Sequence, residues 1–364
     1  MGYVEPHPAA STYERAEALI DLAAPPWDGF DTLIDVRSPA EFAEDHIPAA
    51  INLPVLSDEE RALVGTIYTR ESPFKARKIG AALVARNSAA HIERALMDKD
   101  GAWQPMVYCW RGGQRSGSFA TILGQIGWRT QQLEGGYRSY RRAVVSMLYE
   151  CDLTYKVLRL DGYTGSAKTE LLHLLAARDV QVIDLEGLAC HRGSALGDVD
   201  GPQPAQKAFE SALAAQLLAL DPARPVLIEA ESARIGELRL PPALWAAMRA
   251  APRLIIDAPV AARARYLAQR YADLAEDCAA LAERLDKLRA FVGHDAVDGW
   301  LAQARAGAIE AVAEGLVRRH YDPAYARLRT ADTGAVLARF ETGSLDAPAL
   351  SDLAGQIAAW IRAA

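Results

Sequence analysis

The sequence predicts an α/β protein of two domains on three observations. The chain has 364 residues, strand-like apolar runs alternate with helical patterns, and the strand runs end in polar or glycine-rich turns. The length exceeds one ordinary hydrophobic core. Strands separated by helices imply βαβ units, and so parallel sheets covered on both faces. With 51% apolar and 24% charged residues the composition is near the globular average, which excludes collagen, coiled coil and wholesale disorder. No apolar run approaches the roughly 18–20 residues that span a bilayer. The opening Met1-Gly2-Tyr3-Val4-Glu5-Pro6 has no basic stretch followed by an apolar one. Cys109, Cys151, Cys190 and Cys278 form neither a zinc spacing nor a disulfide framework. The expectation is a soluble, cytoplasmic protein with no membrane contact.

In the first half, Thr32-Leu33-Ile34-Asp35-Val36 reads as a buried strand that turns at Arg37-Ser38-Pro39 into a helix at Glu41-Phe42. Pro105-Met106-Val107-Tyr108-Cys109 is a second such strand. It ends in Arg111-Gly112-Gly113, and a helix starting near Arg115 continues through Phe119, Ile122 and Leu123. Between these strands, about residues 62–100 have helical periodicity and many bases, and Gly135-Gly136 closes the unit. A new strand over Tyr155–Leu160 runs directly into Asp161-Gly162-Tyr163-Thr164-Gly165. Strand patterns recur at Val180–Asp184, Val226–Glu229 and Leu254–Asp257, and from about Ala261 to Arg319 the pattern is mainly helical. These runs place one domain at 1–145, with the basic helical stretch as an insertion, and a second at 150–364 with a helical C-terminal extension.

The formal charge of −7 is unevenly distributed. Residues 61–160 hold 12 Arg and 4 Lys against 7 acids, a net +9, which leaves −16 for the remainder. Such asymmetry points to a basic face that meets a polyanion or an anionic substrate.

Two loops carry chemistry. Cys109-Trp110-Arg111-Gly112-Gly113-Gln114-Arg115 puts a thiol between a strand end and a helix start, facing backbone N–H groups and the positive end of the helix dipole. Arg111 and Arg115 add formal charge. Together these features favour the thiolate, the form that attacks electrophilic sulfur, selenium or phosphorus. A buried structural cysteine is the competing reading. The second loop, Gly162-Tyr163-Thr164-Gly165-Ser166-Ala167-Lys168-Thr169, also joins a strand to a helix, the context in which a glycine-rich loop cradles phosphates. Lys168 suits the outer phosphates and Thr169 a magnesium ion. Ala167 stands where the strict pattern has glycine, and its methyl is expected to crowd a phosphate or change the loop geometry. Asp184 and Glu229, at the ends of strand runs, are candidate magnesium ligands, each equally suited to capping a helix or pairing with an arginine.

The first unit resembles the rhodanese domain over about residues 12–145. The likeness rests on Leu33-Ile34-Asp35-Val36-Arg37-Ser38-Pro39 with Ala40-Glu41-Phe42, on His46-Ile47-Pro48 and Asn52-Leu53-Pro54, and on the loop from Cys109 to Gln114. Ala49-Ala50 departs from the glycine-alanine usual after His-Ile-Pro. The second unit reads as a P-loop NTPase-like domain. A rhodanese domain fused to such a domain resembles the tRNA 2-selenouridine synthase family over nearly the whole chain. Further phrases that fit are Val64–Tyr68 with Ser72–Arg77, His191-Arg192-Gly193-Ser194, Pro202–Lys207, Glu229–Gly236 and His320-Tyr321-Asp322-Pro323.

The resemblance implies a transferase acting on 2-thiouridine at the tRNA wobble position. Geranyl diphosphate first alkylates the sulfur, and selenophosphate then supplies the selenium that replaces it, with no tightly bound cofactor and magnesium as an option. In that scheme Cys109 serves the selenium stage, and Arg111 and Arg115 hold the phosphate part of selenophosphate. The phosphate loop from Gly162 to Thr169 takes the diphosphate. Arg70, Lys75, Arg77, Lys78 and Arg86 become candidates for tRNA phosphates, with Arg138, Arg141 and Arg142 near the domain junction. Trp110 is either a stacking partner for a splayed-out base or a packed loop anchor. His191-Arg192 is a candidate contact for diphosphate. An ATP-driven P-loop protein with an attached sulfur-carrier domain remains the alternative.

Overall fold

The computed structural model describes residues 20–191, 201–230, 232–272, 278–330 and 334–363. The chain divides after Val145 into two compact units.

The first unit contains β1 (Thr32–Asp35), α1 (Pro39–Glu44), β2 (Ile51–Asn52), α2 (Asp58–Arg70), α3 (Pro73–His91), β3 (Pro105–Tyr108), α4 (Gln114–Ile126), β4 (Gln131–Gln132) and α5 (Gly136–Val145). Its strands form one parallel sheet in the order β2-β1-β3-β4. The two strands legible in the sequence lie at the centre, where β3 is buried throughout and Leu33 and Ile34 of β1 are inside. The two-residue edge strands β2 and β4 carry no apolar run, so pattern reading passes over them. The basic stretch is a pair of packed helices. Ser57 and Glu60 cap α2 reciprocally, at 3.2 and 3.0 Å, and Ser72 followed by Pro73 starts α3.

A buried ion pair holds this unit together. Arg37, 1% exposed, donates to both carboxylate oxygens of Asp35, the shorter contact being 2.6 Å, and to the Asp45 carbonyl at 2.7 Å. Its guanidinium lies 3.9 Å from the centre of the Tyr137 ring, and the Tyr137 hydroxyl donates to Asp45 at 2.6 Å.

The second unit contains β5 (Lys156–Gly162), α6 (Lys168–Ala176), β6 (Gln181–Ile183), α7 (Leu185–Leu188), α8 (Gln206–Leu218), β7 (Pro225–Glu229), β8 (Arg234–Ile235), β9 (Leu238–Arg239), α9 (Pro242–Ala250), β10 (Arg253–Asp257), α10 (Val260–Arg270) and β11 (Val336–Glu341). Five of its strands make a parallel sheet in the order β11-β10-β5-β7-β6, with β5 central, and β8 and β9 form an antiparallel hairpin. Leu160, Leu227, Leu254 and Ile256 of the sheet pack with Leu171, Leu172 and Leu175 of α6 and with Leu350, Leu353 and Ile357 of the terminal helix Ala347–Ala363. After α10 come helices Cys278–Asp286, His294–Arg305 and Ile309–Leu316, which share a second core around Trp300, Val312 and Val317. The strand β11 was not expected. It is an edge strand in which only Phe340 is buried, so it lacks the apolar run that marks its neighbours.

The loop between β5 and α6 keeps its shape despite the alanine. Ala167 adopts φ 57°, ψ 32°, the left-handed conformation glycine would take, and is 4% exposed. An L-residue pays roughly 1–2 kcal/mol for that conformation.

Two predictions follow from these backbone and core constraints. Arg37→Met strands the buried Asp35 carboxylate and is expected to remove about 3–5 kcal/mol from the stability of the first unit. An unchanged urea transition in that variant would contradict the pair's role. Ala167→Gly relieves the left-handed strain while adding freedom to the unfolded chain, for a net gain of about 0.5–1 kcal/mol. A higher thermal midpoint with unaltered helix content by circular dichroism is the expected reading.

Candidate functional site

The cysteine loop is built on the end of β3. Cys109, 3% exposed, is followed by a turn in which Gly112 and Gly136 take φ of +65° and +58°. A side chain on Gly112 would put its Cβ 2.7 Å from the Leu133 carbonyl oxygen, and one on Gly136 would run into that of Cys109. The turn delivers the Gly113 N–H to the Cys109 Sγ at 3.3 Å, and α4 brings the Ser116 hydroxyl to it at 3.1 Å. Burial alone pushes the thiol up. The hydroxyl and backbone N–H of Ser116, the Gly113 N–H and the nearby Arg115 charge overcome that effect and bring its pKa below the ordinary value. The loop is therefore biased toward thiolate, and the sulfur also packs in the core of the first unit.

Of the two expected arginines, Arg115 is already engaged. Its Nη1 lies 2.7 Å from Glu41, which also meets Arg61 at 3.0 Å. Burial works against the Glu41 charge, but the bond and charge of Arg115, with help from Ser38 and Arg61, lower its pKa to about 2. Arg111 is exposed and makes no ion pair among the described residues. Trp110 is 36% exposed, and its ring lies 5.4 Å from that of Tyr137. Its carbonyl accepts from the Arg138 N–H at 2.9 Å.

The bases of the helical pair differ in how far they are engaged. Lys75 pairs with Glu71 at 2.6 Å and Arg86 with Glu60 at 2.7 Å. Arg77 donates to the Pro73 carbonyl at 3.3 Å, Lys78 lies 5.2 Å from the Phe74 ring, and Arg70 is exposed with no ion pair among the described residues. On α5, Arg138 and Arg141 are half-buried and Arg142 is exposed. Exposed ion pairs of this kind are weak, typically ~0–1 kcal/mol, and yield readily to a phosphate.

In the second unit, Lys168 extends back along the phosphate loop, its Nζ 3.1 Å from the Gly162 carbonyl oxygen. Gly165 has φ +83°, and a Cβ there would lie 2.8 Å from Leu267. The Ser166 hydroxyl is buried without a hydrogen-bond partner among the described residues, a position that ordinarily costs about 1–3 kcal/mol. Thr169 donates to Glu186 at 2.8 Å and to Glu229 at 3.2 Å, while the Glu186 N–H donates to Glu229 at 2.8 Å. Asp184 takes the helix-capping role that its strand-end position offers beside magnesium binding. Its carboxylate caps α7 through the Gly187 N–H at 2.7 Å and meets His173 at 2.7 Å, so Glu186, one residue inside the helix, takes the place beside Thr169. His191 lies at a short bridge after α7, and Arg192 falls outside the described residues.

Sequence reading missed the residues that brace this loop. Arg263 of α10, 3% exposed, donates to the Thr164 carbonyl at 3.1 Å and to both Asp322 oxygens at 2.8 Å, with its guanidinium 5.1 Å from the Tyr163 ring. Tyr325 donates to Asp161 at the end of β5, and its ring lies 5.4 Å from that of Tyr163. Asp322 sits inside a phrase quoted for the family likeness, as do Gln203 and Gln206, which bond to the backbone of the β8–β9 hairpin.

Both units match families of known proteins. Residues 155–292 match the family described as the tRNA 2-selenouridine synthase AAA domain, and residues 16–143 match the rhodanese-like domain. The tRNA 2-selenouridine synthase of Nitrosomonas europaea is 37% identical over 243 residues, 66% of this chain and 63% of that protein. Its namesake from Bdellovibrio bacteriovorus is 37% identical over 244 residues, 64% and 62% of the two chains. In both, the match spans a little under two thirds of the relative's length. The tRNA 2-selenouridine synthase of Shewanella frigidimarina is 35% identical over 278 residues, 76% of this chain and 74% of that protein. With both domains matched and likeness of that extent, the chain belongs to the tRNA 2-selenouridine synthase family.

Proposed function

We propose that this chain is a transferase that converts 2-thiouridine at the tRNA wobble position to 2-selenouridine through a geranylated intermediate, using geranyl diphosphate and selenophosphate. The observation that carries the proposal is the presence in one chain of two loops of complementary chemistry, a cysteine held toward thiolate and a strand–helix loop with a lysine on it. The names of the relatives supply the nucleoside, and the loops supply the division of labour.

In the first stage the thiouridine sulfur attacks the allylic carbon of geranyl diphosphate, and the electrons of the broken C–O bond leave with diphosphate. The phosphate loop is suited to that leaving group, because loop N–H groups at the start of α6 and the Lys168 ammonium receive its negative charge. Thr169, Glu186 and Glu229 are hard oxygen donors of the kind magnesium takes, and a magnesium ion held there would neutralise charge on the diphosphate. In the second stage the alkylated sulfur departs as selenium arrives at the same carbon, alkylation having made it the better leaving group. Cys109 acts in this stage as nucleophile: its thiolate attacks the phosphorus of selenophosphate, and the P–Se bond breaks to free the selenide that attacks the nucleoside carbon. The geranylated sulfur leaves as geranylthiolate, and water hydrolyses the S–P bond on Cys109 to phosphate. Arg111, exposed beside the loop, is the freer arginine for the phosphate of selenophosphate, while Arg115 is shared with Glu41. tRNA meets the bases of α2, α3 and α5, and the reaction belongs where tRNA resides, in the cytoplasm.

The two stages separate by mutation. With 2-thiouridine tRNA, geranyl diphosphate and selenophosphate, Cys109→Ser is expected to abolish 2-selenouridine and to leave geranylated nucleoside at the wild-type level. Lys168→Ala is expected to reduce geranylation at least about 100-fold, the scale of a lost charge-stabilising donor. Mass spectrometry of the nucleosides reads both outcomes. Normal selenouridine in the first variant or normal geranylation in the second counts against the assignment, and rapid ATP hydrolysis without tRNA would favour an ATP-driven carrier. Replacing Arg70 and Lys78 together by alanine is expected to weaken tRNA binding and to flatten the slope of log affinity against log salt by about 1–2. An unaltered slope would place the RNA on another face.

A further inference from the structure

We infer that Gln132 fixes the direction of the hydrogen bond between Ser116 and Cys109, so that the Ser116 hydroxyl acts as a donor to the cysteine sulfur. The carboxamide of Gln132 extends from the edge strand β4. One end of it faces three oxygens: the Gly112 carbonyl, the Gly113 carbonyl at 3.2 Å and the Ser116 hydroxyl at 2.8 Å. Two of these are carbonyls, which only accept, so the group facing them is the NH2 and not the carbonyl oxygen. The NH2 has two hydrogens, and its two shorter contacts are the Gly112 carbonyl and the Ser116 oxygen, which therefore accepts from Gln132. The hydroxyl hydrogen is left to point elsewhere. Its partners are the Cys109 sulfur at 3.1 Å and the more distant Gly113 carbonyl at 3.4 Å, itself already approached by Gln132.

A hydroxyl locked as a donor stabilises a thiolate more than a thiol, whose sulfur is only a weak acceptor. Ser116 is fully buried, so water does not compete for its bond. Other charges near the loop do not account for the same bias. Arg115 on α4 favours the thiolate but is shared with Glu41 of α1, which Arg61 of α2 also meets. Asp35 and Arg37 beyond β1 are paired with each other, and Tyr137 on α5 has its pKa raised by burial and by Asp45. Arg111 projects to solvent. Ser116 and Gln132 are positioning residues, acting on Cys109 without touching substrate. The inference deepens the proposed function, since Cys109 is the reacting thiol there.

The test is the rate of Cys109 alkylation by iodoacetamide against pH, read on the Cys109 peptide by mass spectrometry so that the other cysteines do not interfere. It uses the full-length chain without tRNA, selenophosphate or geranyl diphosphate. Failure here leaves the transferase reading standing, and failure of that reading leaves this one standing. Ser116→Ala is expected to raise the midpoint by about one pH unit and to lower alkylation at neutral pH about ten-fold. Gln132→Met, close in shape but without the NH2, is expected to shift the midpoint in the same direction. The double variant is expected to shift it no further than Ser116→Ala alone, because Gln132 acts through Ser116. An unmoved midpoint in either single variant overturns the inference, as do additive shifts in the double variant. Far-ultraviolet circular dichroism of each protein keeps an unfolded variant from being read as a titration effect. Should Ser116→Ala not fold, Ser116→Cys, whose thiol is a weaker donor, carries the same expectation.

Discussion

Each reactive loop depends on a buried arginine held by a carboxylate and set against an aromatic ring. In the first unit the guanidinium of Arg37 joins Asp35 at the end of β1 to the Asp45 carbonyl and lies on the Tyr137 ring. Tyr137 in turn donates its backbone N–H to the Cys109 carbonyl at 2.9 Å, and its ring packs at a tilt against Trp110. In the second unit Arg263 joins Asp322 to the Thr164 carbonyl and faces Tyr163. A loop that offers N–H groups to an anion turns carbonyls the other way, and those carbonyls need donors. A planar guanidinium with five N–H groups can satisfy a carbonyl and a carboxylate at once, which an ammonium group does less well.

The distribution of charge follows the same economy. The +9 window is not a continuous field of free cations: Lys75, Arg86 and Arg115 have acidic partners at 2.6–2.7 Å. The pairs differ in kind. Lys75 and Arg86 are exposed, so their partners screen them weakly and a phosphate can displace them. Arg115 and Glu41 are largely enclosed, at 20% and 15% exposure, and the low pKa of Glu41 records how strongly that pair is held. Arg115 is therefore first a strut between α4 and α1 and only second a source of positive potential at the thiol.

What the sequence made legible lies within single strand–turn–helix segments. The thiol and its glycines, and the lysine and threonine of the phosphate loop, are contiguous, and the central strands β1, β3, β5, β7 and β10 each carry an apolar run. The braces are not contiguous. Glu41 precedes Arg115 by 74 residues, and Thr164 precedes Arg263 by 99. Such partners meet only through the sheet topology, which spacing does not encode. Edge elements escaped for another reason: β4 and β11 bury too few side chains to leave a periodic mark. Asp184 and Glu186 show the finest limit, since two positions at the start of α7 decide which carboxylate caps the helix and which one meets Thr169.

Ala167 and Gly112 solve one problem in two ways. Both occupy the left-handed region, where a turn must expose consecutive N–H groups before a helix begins. At Gly112 a Cβ would collide with the Leu133 carbonyl, so no side chain fits and the glycine is obligatory. At Ala167 the methyl is buried within the core of the second unit, among Leu171, Leu172 and Ala258. There the apolar contact offsets part of the conformational cost. The missing glycine therefore changes the energetics of the phosphate loop and leaves its shape intact.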